Sequence, residues 1–508
     1  MIRRELTICN LDIDERFFSA SFFGAGLGSA ELIIRQYLLV RIGIVDINRA
    51  LLGAAGKSGG KVILAMPAQW ISVIERNGFE VNRFLSSALW VGYIIAAYFY
   101  GFFTTIKILI TSLKSILFRG YRSEIKTHVY FHALTINNIS QAQPDRIPFN
   151  IVSWYLQWQG KKSGVKAIHH NVRNATQKCI GDVDVIEQTG PLPILSGLRE
   201  FACYSGWALT ALVYSAFDIL RARWWHAFLL NQAALAAQAR VVPSDYLARE
   251  YLFHNTGLFY HPLWTYEVEN RGSTVSLYFY SSNCEGFKRT GELTPLNYGW
   301  AAINWPRYLV WDQGQANHIQ RAAGVNAKVE IVGPIWFSDS VAEMPCLPLR
   351  SIAVFDVQPF RSSYYQSLAP EFDYYKPNVA NQFLFDIRET LKNINCYMAH
   401  KRKREIGKSV HPHYTLAIKE LELSTNYIRI DPDHSALSLI QKCDVVISMP
   451  YTSTALLARH ADKPSIYYDP SGLLQKDDPA AHGILIIQDK DELANWLDLH
   501  LVSDRDAS

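Results

Sequence analysis

This chain has little that would tie it to an oxidising compartment or to nucleic acid. Its seven cysteines stand apart, at 9, 179, 203, 284, 346, 396 and 443. No Cys-x-x-Cys pair occurs, so neither a zinc ribbon nor a disulfide framework organises the fold. An odd set of isolated thiols fits a reducing cytosol. Charge of one sign is also scarce: 50 Lys and Arg against 46 Asp and Glu leave +4 over 508 residues. No basic stripe interleaved with stacking aromatics is present, and no nucleic-acid partner is expected. The start, Met1-Ile2-Arg3-Arg4-Glu5, lacks the apolar core and cleavage site of an export signal, so a cytoplasmic location is expected. Internal repeats and low-complexity tracts are missing too. What is abundant is apolar material, 49% hydrophobic and 13% aromatic, enough for the cores of two or three domains.

Two apolar segments raise the question of a membrane. Phe84 to Ile106 carries no charge and reaches the ~20 residues that a spanning helix needs. Basic residues flank it on both sides, Arg76 and Arg83 before, then Lys107, Lys114, Arg119 and Arg122, so charge bias sets no orientation. Phe201 to Phe217 is a weaker second case. A true span at 84 would strand the preceding apolar run Lys61–Met66 across the bilayer. The favoured reading is therefore of helices (84–118 and 201–230) that are buried or lie at a membrane surface.

The patterning divides the chain into an N-terminal α/β domain, 1–342, and a C-terminal one, 350–500, joined by the Pro-containing Met344–Leu349. In the first, strands are expected at 61–66, 127–133, 149–154, 165–169, 240–243, 274–280, 307–311 and 328–332. The second alternates cleanly. Strands at 351–356, 395–399, 427–430, 444–448 and 464–468 are separated by helices at 378–392, 413–422, 434–441 and 453–461. Such alternation argues for a doubly wound parallel sheet, whose ligands bind beyond the carboxyl ends of the strands.

The chemistry gathers there. Val445-Val446-Ile447-Ser448 runs into Met449-Pro450-Tyr451, then Thr452-Ser453-Thr454, then an Ala/Leu-rich helical stretch. The open N–H groups and positive dipole end of such a helix suit a phosphate, with the three hydroxyls as further partners. The competing reading is an ordinary hydroxyl N-cap. Past the other strands lie Gln358, the basic run Lys401-Arg402-Lys403-Arg404, and His411-Pro412 opening a helix. Lys401, Lys403 and Arg404 could neutralise a phosphate, and His411 could donate to it. A glycine-rich stretch, Phe23 to Glu31, superficially resembles a nucleotide loop, but no clean strand precedes it.

Met449-Pro450-Tyr451-Thr452-Ser453-Thr454-Ala455 resembles the Pro-Phe-Thr-Ser signature of a bacterial polysaccharide-biosynthesis family, with Tyr451 in place of the Phe. The stretches His261–Glu267, Val275–Asn283, Trp305–Gln313 and Val332–Phe337 are similar to that family as well. His-Pro followed by a hydroxyl-lined helix start is also similar to CMP-sugar transferases of the two-domain GT-B type, including sialyl- and Kdo-transferases. The resemblance implies a GT-B-like α/β fold, two Rossmann-like domains facing a cleft, with extra apolar helices in the N-terminal one. It implies a metal- and cofactor-independent glycosyltransferase of capsule or O-antigen assembly, peripheral on the inner face of the cytoplasmic membrane. The donor would be a CMP-activated nonulosonic acid or Kdo, and the acceptor a glycan or lipid-linked glycan. Carried over by position, His411, Thr452, Ser453 and Thr454 contact the nucleotide phosphate, and Gln358-Pro359 matches a Gln-Pro element of the Kdo enzymes. An inverting reaction needs a base. Asp312 and Glu267 are the first candidates, with Glu187 and His169-His170 behind them. The alternatives are a CDP-alditol phosphotransferase and a non-catalytic glycan-binding partner in a membrane complex.

Overall fold

The structure is a computed structural model that describes residues 5–6, 9, 11, 17–42, 44–56, 60–118, 128–134, 139, 151–159, 164–173, 175, 178–254, 261–279, 303–333, 335, 344–361, 376–403, 405–407 and 409–501. The chain opens with α1 (Phe17–Phe23), a 3-10 turn (Gly24–Ser29), α2 (Ala30–Ile42), α3 (Ile44–Ala55), α4 (Ala68–Arg76) and the long α5 (Arg83–Leu117). The first sheet follows with β1 (His128–Phe131), α6 (Ile151–Gln159), β2 (Ala167–His170), β3 (Cys179–Ile180) and β4 (Val183–Glu187). After α7 (Leu198–Leu220) and α8 (Trp225–Val241) it continues through β5 (Glu250–Phe253), α9 (Leu263–Asn270), β6 (Thr274–Tyr278), β7 (Tyr308–Val310), α10 (Gln313–Ala323) and β8 (Val329–Ile331). The second sheet comprises β9 (Ser351–Phe355), α11 (Pro377–Asn393), β10 (Tyr397–Lys401), α12 (Pro412–Leu421), β11 (Tyr427–Ile430) and α13 (Ala436–Lys442). It ends with β12 (Val446–Ser448), α14 (Ser453–His460), β13 (Ser465–Tyr468), β14 (Leu485–Ile487) and α15 (Lys490–Leu501).

Strand order is β3-β4-β2-β1-β5-β6-β7-β8 in one sheet and β11-β10-β9-β12-β13-β14 in the other. All neighbours are parallel except the β3–β4 hairpin. Each sheet grows outward in both directions from its first strand, the doubly wound Rossmann-like arrangement. Each therefore has a switch point, between β1 and β5 and between β9 and β12. The central strands β1, β5, β7, β9 and β12 are buried along their whole length, as parallel strands covered by helices must be. Alternate residues feed opposite layers. Phe131 meets Tyr155 of α6 on one side, while Tyr251 meets Trp264 of α9 on the other.

Three expected strands are absent. Residues 61–66 make only a bridge between Val62 and Val81. The 149–154 stretch is the start of α6 where it is described, and 240–243 is the end of α8, with the strand beginning later at Glu250.

The buried reading of 84–118 does not hold either, since 22% of the most apolar window of α5 is buried. Its inward seam is Ser86, Trp90, Ile94, Gly101, Thr105, Ile108 and Ser112, a run at helical spacing. A Cβ at Gly101 would lie 2.5 Å from the Leu230 side chain and 2.8 Å from the Asn231 backbone nitrogen, so α5 seats on α8 only because that position is bare. Tyr98 donates to the Leu212 carbonyl of α7 at 3.2 Å. The outward faces of α5 and α7 are apolar and exposed, including Phe84, Phe99, Phe103, Leu113 and Leu117, then Leu209, Val213 and Phe217.

Candidate functional site

The switch point of the second sheet is where β12 hands over to α14. Tyr451 adopts φ +63°, a left-handed conformation that is costly for a bulky side chain. Its buried hydroxyl donates to Asp478 at 2.7 Å, so tyrosine in place of phenylalanine adds an anchor at the strained position. Tyr467 fixes the next residue by donating to the Thr452 carbonyl at 2.8 Å. The Thr452 hydroxyl turns back to the Met449 carbonyl (2.8 Å) and touches Thr454 (3.1 Å), whose own hydroxyl is 2.8 Å from Ser448. Thr452 therefore occupies the N-cap position without capping. The ordinary N-cap reading does not describe this helix, and among the described residues no side chain caps the first turn of α14. Ser453 is exposed at the first helical position.

The other side of the crevice is built from β9 and α12. Met449 donates to the Phe355 carbonyl at 2.8 Å, and the Val357 N–H points at the Met449 sulfur at 3.4 Å. The segment beyond, which includes half-buried Gln358, is zipped to the approach to α12. Phe360 bridges Val410, and the His411 N–H donates to the Pro359 carbonyl at 2.8 Å. Helices α12 and α14 thus start at the same carboxyl edge, on either side of the 356–359 strip. His411 caps α12, its Nδ1 accepting from the His413 N–H at 3.2 Å, with Pro412 next. An accepting Nδ1 leaves the proton on Nε2, so the ring presents a donor. Its pKa is lowered by burial first, then by His413 and Arg361, which keeps the ring neutral at pH 7.

Beneath this strip lies a buried polar network. Asp356 accepts from the Tyr414 hydroxyl of α12, and its other oxygen is 3.2 Å from His400 Nε2, both side chains being fully buried. His400 Nδ1 is 2.9 Å from the Tyr427 hydroxyl. Asp356 therefore ties α12, and the His411 that starts it, to the end of β9. Asp356→Ala leaves the Tyr414 hydroxyl and His400 buried without their partner, which should cost about 3–5 kcal/mol. Denaturant unfolding should show that loss, with Asp356→Asn recovering part of it.

The basic run is less outward than its composition suggests. The Lys401 ammonium is buried and donates to the Pro432 carbonyl at 2.9 Å; burial lowers its pKa while Asp431 and Asp433 push back. Arg402 is 2% exposed, Lys403 is exposed, and Arg404 lies outside the described residues. Asp431 accepts from the Asp433 N–H at 2.8 Å in a turn. Among the described residues no group of three or more His, Cys, Asp or Glu converges to hold a metal ion.

Both candidate bases of the first domain are already engaged. Glu267 accepts from the Ala25 N–H at 3.0 Å and lies 3.1 Å from Arg240 Nε; Arg240 in turn donates to the Ser21 carbonyl at 2.7 Å. Gly24, at φ +54°, leaves no room for a Cβ beside that carboxylate. The glycine-rich stretch is thus a 3-10 turn clamped by Glu267 and Arg240. Asp312 caps α10 through the Gln315 N–H at 2.9 Å and meets His482 of the second domain at 2.6 Å. Burial works to raise its carboxyl, but the His482 and backbone hydrogen bonds outweigh that and hold it below the ordinary range.

Two histidines that sequence reasoning passed over stand at the switch point of the first sheet. His132 follows β1 and His254 follows the adjacent β5. Buried His132 Nδ1 and His254 Nε2 have no hydrogen-bond partner among the described residues. His132 stacks on Phe253 at 4.6 Å. Burial, then the neighbouring His254, push His132 down to about 4; burial lowers His254 as well. The signal was a repeated Phe-His, at Phe131-His132 and Phe253-His254, closing two apolar runs.

Comparison with known proteins adds a family. The family described as "Polysaccharide biosynthesis PFTS motif protein" matches residues 207–497. Among solved structures the chain is similar to UDP-GlcNAc 2-epimerase from Methanocaldococcus jannaschii, with a TM-score of 0.39 and 10% identity over 74% of this chain and 92% of that one. It is also similar to a glycosyltransferase from Rickettsia africae ESF-5, with a TM-score of 0.36 and 10% identity over 74% of this chain and 88% of that one. No curated protein matches the sequence.

Proposed function

We propose a glycosyltransferase of surface-polysaccharide assembly, from the premise that this chain belongs to the polysaccharide biosynthesis PFTS motif family. The observation that carries the reading is the uncapped start of α14 at the second sheet's switch point, with Ser453 exposed on it and the His411 donor across the Asp356–Pro359 strip. Open N–H groups and a dipole end stabilise the phosphate of a sugar nucleotide, and stabilise it more as negative charge develops on the leaving group. No metal is required for that in this reading.

The donor is a CMP-activated nonulosonic acid or Kdo, and the acceptor a glycan or lipid-linked glycan of capsule or O-antigen. An acceptor hydroxyl oxygen bonds to the anomeric carbon as the bond to the phosphate oxygen breaks, releasing CMP. The hydroxyl proton goes to the His132/His254 pair, which unlike Asp312 and Glu267 has ring nitrogens without partners among the described residues. Transfer assays with CMP-sugars against CDP-alditols separate this reading from an alditol-phosphate transferase. A non-catalytic glycan-binding partner would consume neither.

The apolar faces of α5 and α7 support peripheral attachment to the inner face of the cytoplasmic membrane. One stripe of α5 is seated on the domain along most of its length, so the helix offers lipid a side rather than a span. Lys107, Lys114, Arg199, Arg221 and Arg223 suit an anionic surface. Phe99→Glu with Phe103→Glu is expected to release the protein from vesicles of mixed anionic and neutral lipid in a sedimentation assay, with nucleotide binding unchanged.

A further inference from the structure

A cavity of about 690 Å³ opens at the amino ends of β1 and β2, the opposite sheet edge from His132 and His254. Its floor holds His128 and His169, whose rings stack at 4.1 Å and 23°. Both are almost wholly buried, at 4% and 3% exposure. Gln188 donates to the Gly190 carbonyl at 2.7 Å, which fixes its amide so that Oε1 faces His169 Nδ1 at 2.6 Å. Nδ1 of His169 is therefore the protonated nitrogen, and its buried Nε2 is an acceptor with no donor among the described residues. His128 Nδ1 is likewise buried without a partner among the described residues. Two unsatisfied imidazoles at the base of a roomy cavity call for a ligand that carries hydroxyl groups.

The walls say what else the ligand carries. The last turns of α5 supply Thr111 and Phe118, and Ile194 faces them. Phe118 of this wall is 81% exposed, and Leu117 beside it in sequence and Leu198 at the start of α7 are 66% and 74% exposed. Charge at the rim nearly cancels, Lys114 and Lys166 against Asp184, Glu187 and Glu200. Burial pushes His128 down to about 3, and neighbouring His169 adds to the effect, so the floor is uncharged at neutral pH.

We propose that this cavity binds a neutral glycolipid, its sugar hydroxyls on the His128/His169 pair and its hydrocarbon chain leaving along the end of α5. The site is separate from the nucleotide crevice and does not depend on the transferase reading. It ties the protein to lipid of a particular headgroup rather than to a bilayer in general.

Calorimetric titration of the whole chain with n-octyl β-glucoside below its micellar concentration tests this, with n-octyl phosphate as the charged comparison. Saturable binding of the glucoside is expected, stronger than that of the phosphate. Thr111→Trp, which fills the cavity from α5, should weaken glucoside binding by about tenfold or more, with an unchanged circular dichroism spectrum. His169→Phe keeps the ring shape, removes the acceptor and should do the same; if it does not fold, Thr111→Trp decides alone. Equal glucoside affinity in the wild type and Thr111→Trp would assign the binding to the exposed helix faces and overturn the site. Tighter binding of the phosphate would overturn the neutral headgroup. Neither outcome bears on nucleotide binding in the other domain, which is read separately with CMP.

Discussion

Removing His411 and Ser453 together, as the double alanine variant, is expected to weaken nucleotide binding by about 10²–10⁴-fold. A hydrogen bond to a charged group is worth roughly 1.5–3 kcal/mol, and in the proposed site each side chain would supply one. His411 also caps α12, so His411→Ala costs stability of about 0.5–2 kcal/mol in addition. His411→Asn separates the two roles. Asparagine is a good cap but lacks the Nε2 donor, so this variant should melt near the wild type and still bind poorly. The pH dependence gives a second check. The pKa of His411 is lowered, and its Nδ1 is occupied by the His413 N–H, so the ring works as a neutral donor. Affinity should therefore be flat from pH 8 down to about 6.5, the ordinary histidine range. A steady climb across that interval would mean that an imidazolium is needed.

Replacing His132 and His254 by glutamine should lower kcat by about 10²–10⁴-fold, the usual contribution of a positioned base, while CMP affinity holds. Both rings have lowered pKa values, His132 to about 4, so both are in the proton-accepting form at neutral pH. Loss of activity on the acid side should accordingly begin well below pH 6.5, because a base works above its pKa and fails as pH falls through it. Asp312→Asn and Glu267→Gln are the contrast. Asp312 caps α10 and meets His482, and Glu267 holds the turn at Ala25. Their variants should lose stability more than turnover, and a hundredfold fall in kcat for Asp312→Asn would return the role of base to that carboxylate.

The second domain was legible in the sequence because every level of its pattern agrees. Short β-branched runs alternate with amphipathic helices, and the structure shows the five expected strands within a residue or two of their places, adding a sixth, β14, that the pattern did not announce. The first domain hides its strands. The strand at Glu250–Phe253 begins with a carboxylate, which reads as surface. Glu250 is nevertheless buried, held by the Tyr155 hydroxyl at 2.7 Å and the Ser276 hydroxyl at 2.6 Å. Val241-Val242 looks like a strand before a proline, but the alanine-rich run before it carries α8 into that place. Helix α5 inverts the usual rule. Small residues, Ser86, Gly101, Thr105 and Ser112, face the protein, and Phe99 and Phe103 face out. Composition sees the same apolar helix either way, and only the partner surface, Leu230 against Gly101, says which side is in. At the site, hydroxyls and histidine could be read from residue types. That Thr452 leaves its helix uncapped, or that Arg402 turns inward, depends on tertiary contacts that no local pattern records.

The nucleotide crevice is tested most directly by thermal denaturation of the wild type and the His411→Ala, Ser453→Ala double variant, each with CMP, CDP, UDP and GDP. A nucleotide at about a hundred times its dissociation constant stabilises the folded state by roughly 2.7 kcal/mol, several degrees for a domain of this size. CMP should raise the wild-type melting temperature by that amount and leave the double variant where it was. Equal shifts in both proteins, or no shift with any of the four nucleotides, would contradict a phosphate site at the start of α14.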